Sequence, residues 1–427
     1  MRAGFYECDI TPPLGGFMWG NYNERLAENV LDRLYAKAFV VEDKGEYAAV
    51  VVVDTCSLVD GIFEKVTERI AQYTDIPADR VCITSNHTHY GASVGRSPEV
   101  NCFPDETYLD VFLRLTADAV ILAYLRLEEM EISFAQGSVD SISFIRNFVT
   151  TDGTFITHGR GRDDIAGTLG EIDPALPVLL FKKDGKPKGA VISFACHQDC
   201  VYEHKTWYTG DYSSALSDCL KDEFGRDFVS VFLLGTCGDI NHVNPNGPKT
   251  EPGHYRVMGK TLADEVLRIL PEAKPVEGGV KMITEDVTLR RRTLEKGEMK
   301  QAVLDLLQNE GGTIMRARNL IFYGSSNKLS ESDYKVQGIL IGDVFISTLP
   351  GEVYSAFGHD IKKGSPFSRN MVIENCNVYC GYIPTANAFA PNSRLYETST
   401  CFHSCHVPEA GEIIRDKALE IARKLAE

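Results

Sequence analysis

Metal-capable side chains recur in this chain directly after apolar runs. Asp54 ends AAVVVV, and His87 and His89 follow VCIT in the segment TSNHTHYG. His197 follows SFAC, Asp239 follows VFLLGTCG, Glu352 follows ISTLPG, and Tyr382 follows the late strand, in NVYCGYIPT. In open α/β sheets, sites lie beyond the carboxyl ends of strands, which is where these residues fall. Two histidines and a carboxylate suit a tetrahedral zinc site that keeps one position open for water. Such an ion lowers the pKa of water to about 7 and polarises a carbonyl, so the chemistry expected is metal-assisted hydrolysis with one zinc ion per chain. Ligand type narrows the metal without fixing it. Each ligating imidazole needs a partner that fixes its tautomer, and Asp54 and Asp239 are the expected partners. His87 and His89 are two residues apart, so beyond a strand end one can bind metal while the other faces substrate. Singly, each residue has a plainer reading. His87 and His89 could cap a helix, His197 could be a hydrogen-bonded core histidine and Tyr382 a core tyrosine. Glu352 could complement the dipole of a following helix. The set taken together carries the case.

The elements that would position these groups alternate strand and helix. Tyr47–Val53, Ile62–Tyr73 and Arg80–Thr84 read as strand, helix and strand, the order of a βαβ unit. Leu176–Phe181 and Gly189–Ala195 flank a Lys183-Asp184-Gly185 turn, and Gln337–Ile341 and Val344–Thr348 flank Gly342-Asp343; both are hairpin signals. A helix over Asp211–Phe224 precedes a strand over Phe228–Leu234, and a further strand covers Met371–Glu374. Leu294–Gln308 and Glu412–Leu425 have amphipathic spacing. Continuous apolar runs predict strands buried on both faces. The hairpins predict mixed sheets, so the fold class expected is α/β, with mixed β-sheets flanked by helices in a single domain over residues 1–427. No linker, low-complexity tract or internal repeat is visible.

The 427 residues include 44 basic and 60 acidic ones, a net charge of −16. The densest basic run, Arg290-Arg291-Arg292, has acidic neighbours, so nucleic acid and anionic membrane surfaces are disfavoured as partners. No apolar stretch approaches the ~18 residues of a spanning helix, and no signal peptide is visible, so stable membrane insertion is not expected and the chain reads as cytoplasmic. Twelve cysteines should then be mostly reduced and buried. Their pairs Cys196/Cys200, Cys376/Cys380 and Cys401/Cys405 are spaced more widely than is usual for structural zinc. Cys401–His406, with His403 and His406, reads as pocket lining or a second metal site. The turn-rich loop between His242 and His254 reads as plain surface or as a pocket rim. Composition leaves the oligomeric state open.

Taken in order along the chain, the motifs resemble the neutral/alkaline (non-lysosomal) ceramidase family, in its catalytic N-terminal domain. DITPPLGG with RLYAKAFV, VVVVDTCSLVD and ITSNHTHYG carry the first part of the likeness. GEIDPALPVLLF, SFACHQD, GDYSSAL, GTCGDIN, LPGEVY, and YIPT followed by RLYET carry the rest. The resemblance implies a zinc held by His87, His197, Glu352 and Tyr382. It implies that His89 faces substrate, that Arg146 in FIRNF helps hold the substrate oxygen, and that Tyr396 in RLYET stabilises the oxyanion. It implies cleavage of the amide of an N-acylsphingosine. Asn241 stands where the family commonly has a serine, so a serine nucleophile is not expected. HTHYGA replaces HTHSGP beside the metal, and the family's C-terminal immunoglobulin-like domain is not expected here. The leading expectation is zinc-dependent hydrolysis of a small-molecule or lipid amide, with His89 as proton shuttle. The rivals are a soluble ester, lactone or sugar-derived substrate, and a non-catalytic binding protein on the same scaffold.

Overall fold

The computed structural model describes residues 1–427 apart from 22, 60, 98–100, 295, 309–310 and 327–329. Its frame is three mixed sheets. The first orders Val81–Ser85, Glu46–Val53, Tyr35–Asp43, Arg2–Asp9 and Glu128–Glu129. The second orders Val229–Leu234, Lys186–Phe194, Ala175–Lys183, Glu131–Ser138 and Lys274–Pro275. The third orders Val280–Arg290, Glu331–Ile341, Val344–Thr348 and Arg369–Ile373.

One device recurs in all three. An antiparallel hairpin runs into a crossover helix, which returns as an edge strand parallel to the second hairpin strand. In the first sheet Tyr35–Asp43 and Glu46–Val53 lead through the helix Ile62–Tyr73 to Val81–Ser85. In the second, Ala175–Lys183 and Lys186–Phe194 lead through Asp211–Phe224 to Val229–Leu234. In the third, Glu331–Ile341 and Val344–Thr348 lead through Ser355–Gly364 to Arg369–Ile373. The structure thus corrects the expectation of no internal repeat. The unit repeats in backbone order, while its turns differ (Lys44-Gly45, Asp184-Gly185, Gly342-Asp343) and the segments between units vary in length. No fixed period therefore marks it in the sequence.

The sheets meet face to face. Val50 and Val52 of the first, Leu179, Val191 and Val231 of the second, and Ile339, Ile346 and Met371 of the third share one buried cluster. The alternate residues of the same strands, such as Val51 and Val53 or Leu180 and Ile192, pack outward with the helices. The third sheet's outer face is covered by Ser355–Gly364 and the last helix, Ala410–Ala426, through Phe357, Ile361, Ile421 and Leu425. Both faces are dry, which is why these strands read as unbroken apolar runs. The expected amphipathic helix from Leu294 begins at Lys296, and residue 295 lies outside the described residues.

Close to where the sheets converge, Asp211 opens its helix with φ +58° and accepts from the backbone N–H groups of Cys200 (2.7 Å) and Tyr212 (2.6 Å). It thereby fixes the segment after His197. Burial pushes its pKa up from 3.8 to about 7 despite those donors. A carboxyl raised on folding stabilises the fold most below pH 3.8, and that contribution is lost as pH rises through about 7. Asp211→Asn should therefore flatten the pH dependence of unfolding between pH 4 and 7, where one proton contributes at most about 1.4 kcal/mol per pH unit. Urea unfolding of both proteins across that range checks it; a stability difference that does not vary with pH would contradict the assignment.

Candidate metal centre

The carboxyl ends of the three repeated units converge on one spot. Thr84 bridges Cys376, Gly235 bridges Ile373, and Thr88 pairs with Gln198, so the edge strands of all three sheets are stitched together at their tips. Here the structure brings together His87, His197 and Glu352, each fully buried, with one donor atom of each within 4.8 Å of the others. His197 and Glu352 come from segments after the second hairpin strands, and His87 from the segment after an edge strand.

His87 has φ +66°, a left-handed conformation that a non-glycine residue holds only when its surroundings enforce it. The enforcement comes from Asn86. Its amide donates to Asp54 Oδ1 (2.7 Å), its Oδ1 accepts from the Thr88 N–H (3.1 Å), and its carbonyl accepts from Gln198 (2.6 Å). Asp54 therefore shapes the backbone and does not touch an imidazole. Asp239 likewise accepts from the Ser355 N–H (2.8 Å) and hydroxyl (2.9 Å), anchoring the helix that follows Glu352. The expected role for both aspartates, fixing the imidazole tautomers, is corrected: main-chain carbonyls fill it. His87 Nδ1 donates to Cys56 O (2.7 Å), and His197 Nδ1 is shared between Cys237 O (2.9 Å) and Ile240 O (3.0 Å). A carbonyl can only accept, so both Nδ1 atoms carry the proton and both Nε2 atoms offer lone pairs when the rings are neutral.

Those lone pairs converge on Glu352. Its Oε2 lies 3.0 Å from His197 Nε2 and 3.4 Å from His87 Nε2, while Oε1 accepts from the Tyr379 hydroxyl at 2.7 Å. Donors on a tetrahedral zinc with bonds of about 2.0–2.1 Å stand about 3.3 Å apart, so this spacing fits such an ion. Burial and the Arg146 guanidinium push His197 down to about 4, which keeps its ring neutral. Burial opposes ionisation of Glu352, but His87 and His197 outweigh it and hold its carboxyl well below the usual range. The His197 Nε2 lone pair and a Glu352 oxygen stand 3.0 Å apart. Although burial opposes it, Cys56 and Glu352 push the His87 pKa well above the ordinary imidazole value, so a cation held among the three would take the place of that proton.

His89 stands beside this set, its Nε2 3.3 Å from His87 Nε2 and its other face toward Asp199. Burial, then His87 and His197, hold its pKa well below the ordinary imidazole value. A second possible cluster joins Cys56, His87 and His89, but Cys56 Sγ lies 3.7 Å from His87 Nδ1, the nitrogen already committed to a carbonyl.

Tyr382 sits directly opposite Glu352 in a two-stranded parallel ribbon, Glu352–Val353 with Tyr382–Ile383, so two expected ligands are register partners. Its ring meets the Tyr396 ring at 5.4 Å and the Arg146 guanidinium at 5.3 Å. Arg146 donates to Glu397 Oε1 (2.8 Å) and Gly238 O (2.8 Å), and its Nη1 lies 3.4 Å from His197 Nε2. His89, Arg146, Tyr382 and Tyr396 all line one cavity of 670 Å³ with the three clustered residues. Asn241, His242 and His403 line it too, whereas His254 is not among its lining residues. His406 bonds Tyr334 (3.2 Å) and the Arg290 carbonyl (3.2 Å) and does not reach the cavity. Cys401 and Cys405 are buried free thiols that, among the described residues, join no cluster able to hold a metal.

Sequence reading missed several residues of the site, four of them close in sequence to residues it singled out. Tyr379 lies three positions before Tyr382, Glu397 directly after Tyr396, Cys56 two after Asp54, and Asp199 two after His197. Adjacency to residues already singled out was the available signal.

Residues 2–254 match the family described as neutral/alkaline non-lysosomal ceramidase, N-terminal. Among solved structures, the chain is similar to neutral ceramidase from Pseudomonas aeruginosa, with a TM-score of 0.78 and 18% identity over 99% of this chain and 74% of that one. It is also similar to a ceramidase complexed with C2, with a TM-score of 0.76 and 17% identity over 100% of this chain and 75% of that one. At these identities the likeness to solved structures concerns the fold. No curated protein matches the chain's sequence significantly.

Proposed function

The chain belongs to the neutral/alkaline non-lysosomal ceramidase family, and from that membership we propose that it is a zinc-dependent hydrolase of N-acyl amides. The carrying observation is that His197 Nε2 and His87 Nε2 converge on Glu352 Oε2 at 3.0 and 3.4 Å with both Nδ1 protons committed to carbonyls. His87, His197 and Glu352 would hold the zinc, with Tyr382 as a further ligand from the ribbon opposite Glu352. When bound, the ion supplies Lewis acidity toward the substrate carbonyl and acidifies water.

The chain's own residues do the rest. His89, at the edge of the ligand set, takes the proton of the attacking water on Nε2 and returns it to the leaving amine, general base and then general acid. Arg146 and Tyr396 line the same cavity, where a guanidinium and a phenol would stabilise the substrate oxygen as it gains charge. Tyr379 holds Glu352 in place through the bond to Oε1. No serine nucleophile is needed, and the residue after Gly238-Asp239-Ile240 is Asn241.

Prolonged dialysis against a chelator should remove about one zinc per chain by elemental analysis and abolish hydrolysis of short N-acyl amides, and added zinc should restore it. Amide hydrolysis that survives complete zinc removal would sink the proposal.

A further inference from the structure

Resting on the amidase reading above, we infer that the cavity is built for a compact amide whose amine portion carries several hydroxyl groups, and that Asp199 reads those hydroxyls. A long-chain lipid needs a trench of aliphatic side chains. Among the described residues lining the 670 Å³ cavity, Val243 alone has a branched aliphatic side chain, and no leucine, isoleucine, methionine or phenylalanine reaches it. Besides Val243 and Cys56, its apolar surface comes largely from rings, Trp19 and Tyr202 among them, which carry hydrogen-bonding atoms at their edges. Amphipathic rings of this kind suit a ligand that is apolar on one face and wet at its rim.

Asp199 gives the cavity a direction. Its Oδ1 accepts from the Tyr90 hydroxyl at 2.9 Å, which fixes the carboxylate in the wall. Oδ2 has no hydrogen-bond donor among the described residues, and His89 Nδ1 lies 4.0 Å from it, beyond hydrogen-bond reach. The side chain is 38% exposed. The neighbouring Arg25 guanidinium and the Lys205 ammonium attract this carboxylate through space, but the two terminal nitrogens of Arg25 donate to the carbonyls of Trp19, His89 and Lys205. His89 therefore stands between the ligand set and Asp199. The residue that protonates the leaving amine has a carboxylate on its far side, so the amine portion of the substrate runs past Asp199. Covering that carboxylate with an alkyl tail would strip its water with no replacement. A substrate hydroxyl restores the lost bond.

A second polar pair, His242 and Tyr202, lines the same cavity. His242 bonds the Tyr202 hydroxyl through Nε2 at 2.7 Å, while its Nδ1 is buried with no partner. Both residues line the cavity, and burial and His254 push the His242 pKa down to about 3. The neutral His242 ring holds the Tyr202 hydroxyl, which lines the cavity as a further hydrogen-bonding group for a hydroxylated ligand.

The test uses the full chain and two probes of equal ring size, N-acetyl-D-glucosamine and N-cyclohexylacetamide. Their binding to the metal-free protein is measured by ligand-observed NMR titration, and their turnover by the zinc-loaded protein is measured in parallel with long-chain ceramide in micelles. The hydroxylated probe should bind at least about 10-fold more tightly than its alkyl counterpart. Asp199→Leu should erase that preference, and Asp199→Asn, which keeps an acceptor of the same shape, should retain part of it. Equal affinity for the two probes, a preference that survives Asp199→Leu, or tighter binding of N-acetylputrescine would overturn the inference; the last would make Asp199 a reader of ammonium groups. Preferential binding of the hydroxylated probe with no amide turned over by the zinc-loaded chain would sink the amidase reading and leave the hydroxyl-reading site standing. Efficient ceramide cleavage without any hydroxyl preference would do the reverse.

Discussion

His89→Ala lowers kcat for amide hydrolysis by about 10²–10⁴-fold, the usual contribution of a positioned acid–base group, and leaves one zinc per chain in place. The split between activity and metal content is the informative part. His87 and His197 each have Nδ1 pinned by a carbonyl and Nε2 turned to Glu352. Among the described residues no carbonyl pins the His89 ring in this way; its backbone N–H bonds Gln198 O, and its ring lies against Gly20, His87 and His197 with Asp199 at 4.0 Å. A ring with no carbonyl on its second nitrogen can exchange a proton between water and leaving group, as a shuttle must. A ligand ring, by contrast, almost always has its second nitrogen fixed. Elemental analysis beside steady-state kinetics decides the matter. If zinc content and kcat fall together, His89 is a ligand, and the grouping of Cys56, His87 and His89 regains interest.

The order of residues along the chain made the three-sheet frame partly readable. Runs such as AAVVVV and VFLL gave strands buried on both faces, and Asp184-Gly185 and Gly342-Asp343 gave the hairpins. His87, His197 and Glu352 were legible for one reason: a polar residue straight after an apolar strand lies at the sheet's carboxyl end, where the structure gathers all three. The partners of the imidazoles were not legible. Cys56 O, Cys237 O and Ile240 O are main-chain atoms that any residue would supply, so side-chain identity carries no trace of them. Asp54 and Asp239 were conspicuous for the right positions but turn to Asn86 and Ser355. Contacts that span long separations, such as Arg146 with Glu397 across 251 positions, depend on how the sheets are joined, and no local pattern encodes that.

Arg146 and Glu397 supply the second large effect. Both are buried, Glu397 completely, and the pair is completed by the Thr157 hydroxyl on Glu397 Oε2 (2.7 Å) and by Gly238 O on the guanidinium. Removing one member strands a charge in a buried site, so Arg146→Met alone should cost about 3–5 kcal/mol of stability. Glu397→Leu alone should cost a similar amount. The double variant, apolar on both sides, should recover most of that loss, because a buried pair replaced by packed hydrophobic groups is often neutral. Activity should not follow stability. Arg146 also faces the cavity, with Nη1 3.4 Å from His197 Nε2 and its guanidinium 5.3 Å from the centre of the Tyr382 ring. Loss of a donor aimed at developing negative charge costs about 10²–10³-fold in kcat, and restoring the fold returns none of it. Urea unfolding and amide kinetics on the three variants separate the two roles. A double variant that regains both stability and turnover would confine Arg146 to holding the wall. One that regains stability alone would place the guanidinium among the groups that act on the substrate.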